Sequence, residues 1–343
     1  RKQLEEFEDL LARHRELPEG FSMDMILKAP SKDIMNNLAR SILASYGFDS
    51  NPDDTSIKNV INQSICLIAR MPTMAAYSYQ AMEYYHNKKS LYIHCPRPEL
   101  GTAENFLHMI RPDSKYTRTE AETLDLALVL HAEHGGGNNS TFVTHVVSST
   151  GTDTYSTIAA AIGSLKGPKH GGANIKVVNM MEDLKANVSD WEDEEEVASY
   201  LAKLLNKEAF DRSGLIYGIG HAVYTLSDPR CIMLKAKAEE LAKEKGYMEE
   251  FKLYSLVEKL SPVVFSEVKK TNKVVSANVD FYSGFVYNML DIPMELLTPL
   301  FAIARVAGWC AHRIEELMNG GRIIRPAYKS VAQRKKYIPM DER

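Results

Sequence analysis

The fold of this chain follows from the stretch between Leu130 and Asn174, which reads LHAEHGGGNNSTFVTHVVSSTGTDTYSTIAAAIGSLKGPKHGGAN. A long helical pattern separates two glycine-rich breaks, and the histidines His131, His134 and His170 stand beside those breaks. Glycine lets the backbone turn sharply or come close to a ligand, so a titratable ring next to glycines is typical of a group presented to a site. The stretch therefore predicts helices with functional histidines near their ends.

Apolar residues recur at helical spacing on both sides of that stretch, which predicts helix after helix. Thr117 with Glu120 has the pattern of a capping box, and Asp228-Pro229 has the pattern of a helix start. Pro72 is predicted to separate two helices. The predicted helices include 31–44, 57–70, 73–86, 155–165, 177–184, 228–245, 249–260, 279–290 and 299–318. Because 91–93 is the only early strand-like run and no internal repeat is found, the predicted class is all-α.

The composition argues against several classes of protein. The chain has 343 residues, of which 45% are hydrophobic and 25% charged, and no apolar run reaches the length of a membrane span. A net charge of −4 argues against a nucleic-acid partner, so any bound anion must be held by locally placed arginine or lysine. The four dispersed cysteines fit a reducing compartment, and we expect a cytoplasmic protein. Because the chain opens in a helical pattern without methionine, we expect a missing upstream segment, which leaves an organellar signal open.

Two histidines beside glycines are the first candidates for chemistry. His170 precedes the predicted start of a helix, where the helix dipole favours a neutral ring that can donate to a carbonyl and stabilise an enolate. The alternative is a loop histidine that caps backbone groups. His221 follows Gly218-Ile219-Gly220, which is no nucleotide loop because no strand precedes it and no complete motif follows. For His221 a functional role and a satisfied loop histidine remain equally open.

Three charged residues stand in unusual environments. Arg230 lies in the first turn of its predicted helix, where the dipole favours acids, so either a bound anion or pairing with Asp228 or Glu239 accounts for it. Arg305 lies on an apolar helix without an acid three or four residues away, which calls for a distant salt bridge or a carboxylate ligand. Asp280 begins a helix, where we expect the dipole to keep it ionised as a base, unless it only caps the helix.

His131 and His134 are candidate metal ligands. They are three residues apart and are predicted to share a helical face, which is compatible with metal ligation. The H-x-x-H pattern alone lacks the third ligand and the glutamate of a zinc hydrolase, so no metal is predicted. Core or substrate-binding histidines explain the pair better.

Six segments together resemble the citrate synthase family, and they occur in that family's order and at similar spacing. The resemblance covers residues 105–326, most of the chain. The segments are HAEH (131–134), KGPKHGGAN (166–174), GIGHAVYTLSDPR (218–230), NVDFYSG (278–284), TPLFAIARVAGWCAHRIEE (298–316) and RIIRP (322–326).

The resemblance implies an all-α homodimer with an active-site cleft between two domains. The large domain would comprise 1–172 and, with a C-terminal arm, 279–343, and the small domain 173–278. Asp280 would take a methyl proton from acetyl-CoA while neutral His170 hydrogen-bonds the thioester oxygen, which gives an enol or enolate. His221 would polarise the ketone of oxaloacetate, and the resulting citryl-CoA thioester would be hydrolysed.

The resemblance also implies the ligands of the substrates. His134, Arg230 and Arg305 match oxaloacetate ligands, and Arg325 matches an arginine that the partner subunit supplies. The implied partners are therefore oxaloacetate, an acyl-CoA and a second copy of the chain. Acetyl-CoA is a co-substrate, and no tightly bound cofactor is implied.

The CoA side of the site departs from the family at one point. Thr225 stands four positions after His221, where the family commonly has a basic residue for the CoA phosphates. Lys169, at a position often apolar in the family, is expected to supply the lost charge. Gly218 and Gly220 are expected to border the same co-substrate.

Other functions were weighed against this one. A 2-methylcitrate synthase, which uses propionyl-CoA, shares the constellation, and one methylene is discriminated by only about 1–3 kcal/mol. A citryl-CoA lyase domain is a more distant alternative. A non-catalytic helical scaffold or regulatory homologue would require none of the ionisable residues named above.

Overall fold

The computed structural model describes residues 2–221, 223–224 and 226–343, and its regular elements are helices. Within that part of the chain, strand pairing is limited to an isolated antiparallel bridge between Ile219 and Ala277. The predicted all-α class is confirmed. The α-helices are α1 (Lys2–His14), α2 (Ile34–Ala44), α3 (Ile57–Tyr85), α4 (Thr102–Ile110), α5 (Arg118–His131), α6 (Asn139–Ser148), α7 (Thr154–Lys166), α8 (Ala173–Asn187), α9 (Glu194–Leu205), α10 (Pro229–Lys245), α11 (Met248–Lys269), α12 (Val279–Met289) and α13 (Leu297–Asn319).

Side-chain caps set the starts of two helices that position the site. At α5, the Thr117 hydroxyl accepts from the backbone of Glu120 while the Glu120 carboxylate accepts from the backbone of Thr117, which is the predicted capping box. At α10, Asp228 accepts from the backbone N–H of Arg230 at 3.0 Å, and Pro229 is the first helical residue. The sequence therefore predicted both starts to the residue.

Helix α3 continues through Pro72, so the predicted break into two helices is wrong. Proline lacks the N–H that bonds to the carbonyl four residues earlier, and it costs about 3 kcal/mol in a helix interior. The neighbouring side chains of Met71 and Met74 are fully buried, and α1, α2, α4 and α13 pack on this helix. Because burying one large apolar side chain contributes about 1.5–3 kcal/mol, packing outweighs the proline.

The predictions also missed local features elsewhere. Residues 91–93 form no strand, and their side chains are partly exposed, because no neighbouring strand in the described chain pairs with them. Helix α4 is not predicted, and the long helical pattern between the two glycine-rich breaks is divided into α6 and α7. The N-cap of α4 is Gly101, which has no side chain to accept from the first turn, so the usual start signal is absent there.

Helices α1 to α7 and α13 form a first packed group. Helix α13 lies at its core and contacts α3, α5, α6 and α7. Its Arg313 is fully buried, and it donates to the hydroxyls of Thr154 and Thr157, each at 3.0 Å. The segment Met294–Asn319 is long and apolar enough to cross a membrane by length and composition, but 67% of its apolar window is buried inside the protein. That burial is typical of a core helix.

Gly308 marks a very close approach between α13 and the end of α5. A Cβ atom at this position would overlap the carbonyl oxygen of Ala132 and the carboxylate of Glu133. Only glycine allows the two backbones to come this close. The contact holds the turn that follows α5 against α13.

Helices α8 to α12 form a second packed group, in which α9 packs on α11, and both α8 and α10 pack on α12. Helix α5 contacts α10 and α12 and so joins the two groups. The end of α5, the turn between α7 and α8, and the starts of α10 and α12 meet beside α13. A cavity lies at that junction.

Candidate active site

The cavity has a volume of about 170 Å³ and collects ionisable groups from five segments of the chain. It is lined by His131, His134, Asn138, His170, His221, Arg230, Asn278, Val279, Asp280, Phe301 and Arg305. Six of these were predicted for the site from the sequence: His134, His170, His221, Arg230, Asp280 and Arg305. The fold thus brings together residues that lie up to 171 positions apart in the chain.

A larger depression elsewhere suits an anionic substrate less well. It has a volume of about 530 Å³ and is lined by four acids, Glu8, Glu104, Glu122 and Asp125, with Arg118 as its cation. Its negative charge opposes an anion, and no histidine lines it. The smaller cavity is therefore the candidate active site.

Backbone pairing holds the segment that carries His221. The N–H of Gly220 donates to the carbonyl of Ser276 at 2.7 Å, and the N–H of Asn278 donates to the carbonyl of Gly218 at 2.9 Å. The side-chain amide of Asn278 also donates to the carbonyl of Gly220 at 2.9 Å. These three hydrogen bonds fix His221 next to the start of α12.

Gly218 has a structural reason to be glycine. Its φ is +78°, a left-handed conformation that other residues adopt at a cost. A Cβ atom there would also come within 2.9 Å of the Cα atom of Phe281 in the first turn of α12. The glycines before His221 therefore serve the close contact between this segment and α12.

Hydrogen bonds fix the tautomer of His221. Its Nδ1 accepts from the backbone N–H groups of Val223 at 3.0 Å and Tyr224 at 3.1 Å, so the ring proton is on Nε2. This Nε2 lies 3.1 Å from Nε2 of His134, which accepts the hydrogen bond. His221 thus presents an N–H donor to the cavity.

Both of these histidines are held neutral. Burial lowers the pKa of His134 to about 4, and the positive charge of Arg230 adds to the effect. Burial, followed by Arg230, also lowers the pKa of His221. A neutral ring keeps one nitrogen as donor and the other as acceptor, as the tautomer of His221 requires.

His170 lies in the turn between α7 and α8, and α8 begins at Ala173, close to the predicted position. Its Nε2 lies 3.4 Å from the backbone N–H of Ser140 and 3.0 Å from the Ser140 hydroxyl, which itself accepts from Trp309 at 3.1 Å. Because a backbone N–H can only donate, Nε2 of His170 is the acceptor and Nδ1 carries the proton. Burial, then Arg305, lowers the pKa of His170, so the ring is neutral as predicted, although burial rather than the dipole is the main cause.

Asp280 lies in the first turn of α12 without capping it. Asn278 is the cap, and its side chain accepts from the backbone N–H of Asp280 at 3.0 Å. Burial raises the pKa of Asp280 to about 6, although Arg230 and Arg305 act in the opposite direction. The expectation that the helix dipole sets this ionisation is therefore wrong, because desolvation is the larger effect. A carboxylate with a pKa near 6 is a stronger base than an exposed one.

Arg305 is fully buried with part of its guanidinium unpaired. Its Nε donates to the carbonyl of His131 at 2.8 Å, and its charge lies 4.8 Å from the ring centre of Phe301. Its Nη1 has no hydrogen-bond partner within the described chain, and no carboxylate there forms a salt bridge with it. The distant salt bridge weighed from the sequence is not found, which favours an anionic ligand.

Arg230 forms an ion pair with Asp228 across two bonds, of 2.8 and 3.1 Å. This is the local pairing that was weighed as its alternative. Its guanidinium also lies over the ring of Tyr224, 5.3 Å from the centre, and borders the cavity. A guanidinium has five N–H donors, so pairing with Asp228 leaves donors for an anion.

Helix α5 ends at His131, so the predicted helical face shared by His131 and His134 is wrong. The Nδ1 of His131 lies 2.7 Å from the carbonyl of Ala127, and burial lowers its pKa to about 4. His131 is thus a core histidine whose carbonyl holds Arg305. His134 lies beyond the helix and faces His221.

Four predicted residues do not line the cavity. Lys169 and Arg325 are exposed, and Arg325 belongs to the segment that follows α13. The backbones of Gly218 and Gly220 form the hydrogen bonds that hold the His221 segment to residues 276–278. Thr225 lies outside the described residues.

Sequence reasoning missed three residues that contribute to the site. Asn138 and Phe301 line the cavity, and Ser140 fixes the tautomer of His170. Asn138 belongs to the glycine-rich break, which was the available signal. Ser140 gave no signal, because its contact joins residues 30 positions apart.

The arrangement combines two neutral N–H donors, one carboxylate base and two guanidinium groups. A base next to a neutral donor can remove a proton beside a carbonyl and stabilise the enolate that forms. The two arginines can hold a substrate with two carboxylates. The chemistry that fits is carbon–carbon bond formation from an enolate and a dicarboxylate.

Comparisons with known proteins point the same way. Residues 1–327 match the family described as "Citrate synthase, C-terminal domain". The chain is 37% identical over 347 residues to a citrate synthase of Synechocystis sp., across 99% of this chain and 80% of that relative. The crystal structure of citrate synthase from Pyrobaculum aerophilum aligns over 100% of this chain and 82% of its own, with a TM-score of 0.80 and 29% identity. The ternary complex of carboxymethyl coenzyme A and oxaloacetate with the Thermoplasma acidophilum citrate synthase aligns over 100% and 84%, with a TM-score of 0.80 and 26% identity.

Proposed function

The chain belongs to the citrate synthase family, and from this we propose that it condenses acetyl-CoA with oxaloacetate to give citrate and free CoA. It is an acyltransferase in which the acyl group becomes an alkyl group on transfer. The observation that carries the proposal is the junction of a half-buried base with two neutral donors and a partly unpaired arginine in one cavity.

In the first step, Asp280 removes a proton from the methyl group of acetyl-CoA. The Nδ1–H of His170 donates to the thioester oxygen and stabilises the enolate as it forms. The raised pKa of Asp280 supports this role, since a base is most effective when its pKa lies near the working pH.

In the second step, the enolate carbon attacks the ketone carbon of oxaloacetate. The Nε2–H of His221 donates to the ketone oxygen and transfers its proton there as that oxygen gains negative charge. The product of this step is citryl-CoA, and water then cleaves its thioester to citrate and CoA.

Three groups would hold the oxaloacetate carboxylates. The unpaired Nη1 of Arg305, the remaining donors of Arg230 and the ring of His134 border the same cavity. The Thermoplasma acidophilum relative was solved with oxaloacetate and a CoA derivative together, which supports these substrates by analogy.

The CoA phosphates need a positive group near the cavity mouth, and we assign Lys169 to this role. It is exposed next to His170, and within the described chain it forms no salt bridge. Gly218 and Gly220 would border the CoA only through the backbone.

Lys169→Ala is expected to raise the Michaelis constant for acetyl-CoA several-fold and to leave that for oxaloacetate unchanged. Lys166→Ala is the matched control, because Lys166 is also exposed but is paired with Asp33 at 2.8 Å. Steady-state kinetics with each substrate varied in turn measure both constants. An unchanged acetyl-CoA constant in Lys169→Ala would exclude the assignment.

We further propose a cytoplasmic homodimer in which Arg325 completes the site of the partner subunit. The exposure of Arg325 in the segment after α13 leaves it available to a second subunit. The proposed division is a large domain of 1–172 and 279–343 and a small domain of 173–278. Helix α12 packs on α8 and α10, so the start of the return segment lies against the small domain.

The function is tested by CoA release that depends on oxaloacetate, with acetyl-CoA and propionyl-CoA assayed in parallel on the same preparation. We expect a higher kcat/KM with acetyl-CoA. A preference for propionyl-CoA would move the function to 2-methylcitrate synthesis. Release with neither would leave the non-catalytic scaffold as the better interpretation.

A further inference from the structure

A second cluster of histidines and glutamates lies beside the active site and takes no part in the proposed reaction. His145 is on α6, His312 and the pair Glu315 and Glu316 are on α13, and Glu133 is in the turn after α5. Both histidine side chains are more than four-fifths buried. Of the three carboxylates, Glu316 is largely buried, whereas Glu133 and Glu315 are partly exposed, so the two rings are the buried part of the cluster.

The second ring nitrogen of each histidine faces a carboxylate. Nδ1 of His145 lies 2.8 Å from Glu316, and Nε2 of His312 lies 3.0 Å from Glu133. A ring nitrogen next to a carboxylate oxygen carries the proton and donates. This leaves Nε2 of His145 and Nδ1 of His312 as the free nitrogens, which do not face these two carboxylates.

The two free nitrogens face each other. Nε2 of His145 lies 3.1 Å from Nδ1 of His312, and a Glu315 oxygen lies 3.0 Å from the same Nδ1. A cation among these three atoms would be coordinated by all of them. All three ligand atoms lie within 4.8 Å of one another.

The two separations at Nδ1 of His312, 3.1 Å to His145 and 3.0 Å to Glu315, are close to the spacing of neighbouring ligands on a tetrahedral transition metal. Zinc binds histidine and glutamate at about 2.0–2.2 Å, which places neighbouring ligand atoms about 3.3 Å apart. Histidine ligands of zinc also donate their other N–H to a carboxylate, as both of these do. His312 and Glu315 are three apart on one helix, so a single turn of α13 presents both.

We propose that His145, His312 and Glu315 form a binding site for a divalent transition metal ion such as Zn²⁺. The ligand atoms are Nε2 of His145, Nδ1 of His312 and a carboxylate oxygen of Glu315, and water fills the fourth position. Glu316 and Glu133 orient the two rings. The site differs from the H-x-x-H pair at His131 and His134, which shares none of its residues.

The metal site is connected to the candidate active site through Glu133. This residue accepts from His312, also accepts from the backbone N–H of Gly135, and directly precedes His134 in the chain. A bound ion would fix His312, and with it the turn that carries His134. Metal binding is therefore expected to order residues 132–138.

The test uses the full chain, freed of metal with a chelator and titrated with Zn²⁺ against a chromophoric competitor. The unsubstituted protein is expected to bind one ion per chain. Glu315→Gln removes a ligand at an exposed position and is expected to weaken binding at least 10-fold, as is His312→Gln. His94→Gln is the matched control, because it removes a histidine outside the cluster and is expected to bind as the parent does.

Co²⁺ provides a second readout, since its visible absorption reports coordination by nitrogen and oxygen. Glu316→Gln leaves every ligand in place but releases the ring of His145, and outer-shell changes of this kind weaken metal binding roughly 10- to 100-fold. Absence of stoichiometric binding in the parent would overturn the proposal. Equal affinity in the parent, Glu315→Gln and His312→Gln would overturn it as well, because the ion would then bind elsewhere.

Discussion

The environment of Asp280 has opposite effects on catalysis and on folding stability. Burial raises its pKa to about 6, and this makes it a stronger base than an exposed aspartate. The same burial means that its ionised form is disfavoured in the folded protein. The carboxylate therefore favours catalysis and opposes folding.

Asp280→Asn is expected to lower kcat by roughly 10²- to 10⁴-fold and to raise the melting temperature at pH 7. A carboxyl group whose folded pKa is raised contributes stability below its unfolded pKa and loses that contribution as pH rises through the folded value. The gain of the Asn variant should therefore be present above pH 6 and disappear near pH 4. Thermal unfolding of both proteins across this range measures it, and a gain that is independent of pH would contradict the assignment.

The same pKa predicts the acid limb of activity. Only the ionised Asp280 removes a proton, so kcat/KM should fall tenfold per pH unit below about pH 6. His134 has a pKa of about 4, so it stays neutral over this pH range and does not contribute a second fall in activity. A pH–rate profile with acetyl-CoA is the measurement, and an acid limb centred near pH 4 would exclude Asp280 as the group that titrates.

Residues that line the site could be predicted because their chemistry conflicts with their local sequence. Arg305 on an apolar helix and His170 beside glycines are such cases. Their protonation could not be predicted, because it depends on contacts from other segments. The N–H of Ser140 sets the tautomer of His170, and burial by several helices sets the pKa of Asp280.

At the scale of elements, the segment before His221 is the most demanding part of the site. It is held to residues 276–278 by hydrogen bonds at Gly218, Gly220 and Asn278. A displacement of this segment moves the donor of His221 relative to the base on α12. A shift of about 1 Å in a catalytic group can lower the rate roughly 10²-fold.

Gly218→Ala tests this dependence, with Gly246→Ala as the matched control. Both glycines have a left-handed conformation, with φ of +78° and +81°, but only Gly218 lies against another element. We expect Gly246→Ala to cost about 1 kcal/mol of stability without affecting kcat. Gly218→Ala is expected to cost about 1–3 kcal/mol and to lower kcat/KM by at least tenfold.

Urea unfolding and steady-state kinetics on the two glycine variants separate the effects. Equal losses of stability and unchanged kinetics in both would mean that the contact with Phe281 does not position His221.

Helix starts could be predicted where a capping side chain marks them, as at Thr117 and Asp228. Helix continuity could not, because the cost of Pro72 is offset by packing from four other helices. The run at 91–93 has the local pattern of a strand, but no strand pairs with it in the part of the chain that the structure describes. Local sequence thus sets where helices can begin, and tertiary packing decides how far they extend.

At the scale of the whole molecule, the proposed role of Arg325 can be tested with mixed dimers. Asp280→Asn and Arg325→Ala chains with different tags are co-expressed and the hybrid species is assayed. If Arg325 serves the partner, each hybrid keeps one site with both groups intact. A random mixture should then recover roughly a quarter of the parent activity, since half of the dimers are hybrid.

If Arg325 acted in its own subunit, both sites of the hybrid would lack one group and no activity would return. As a control, size-exclusion chromatography of the Asp280→Asn and Arg325→Ala proteins, each alone, shows whether each still forms dimers.

Gly308 is a position at which this protein should not tolerate substitution. Its α-hydrogen is the only group that fits between α13 and the carbonyl of Ala132. The position contributes no charge, donor or nucleophile, yet any side chain there would separate Arg305 from the turn that carries His134. In a comparison of many functional variants, position 308 should be as invariant as Asp280. Invariance alone would therefore not distinguish a catalytic residue from a glycine that close packing requires.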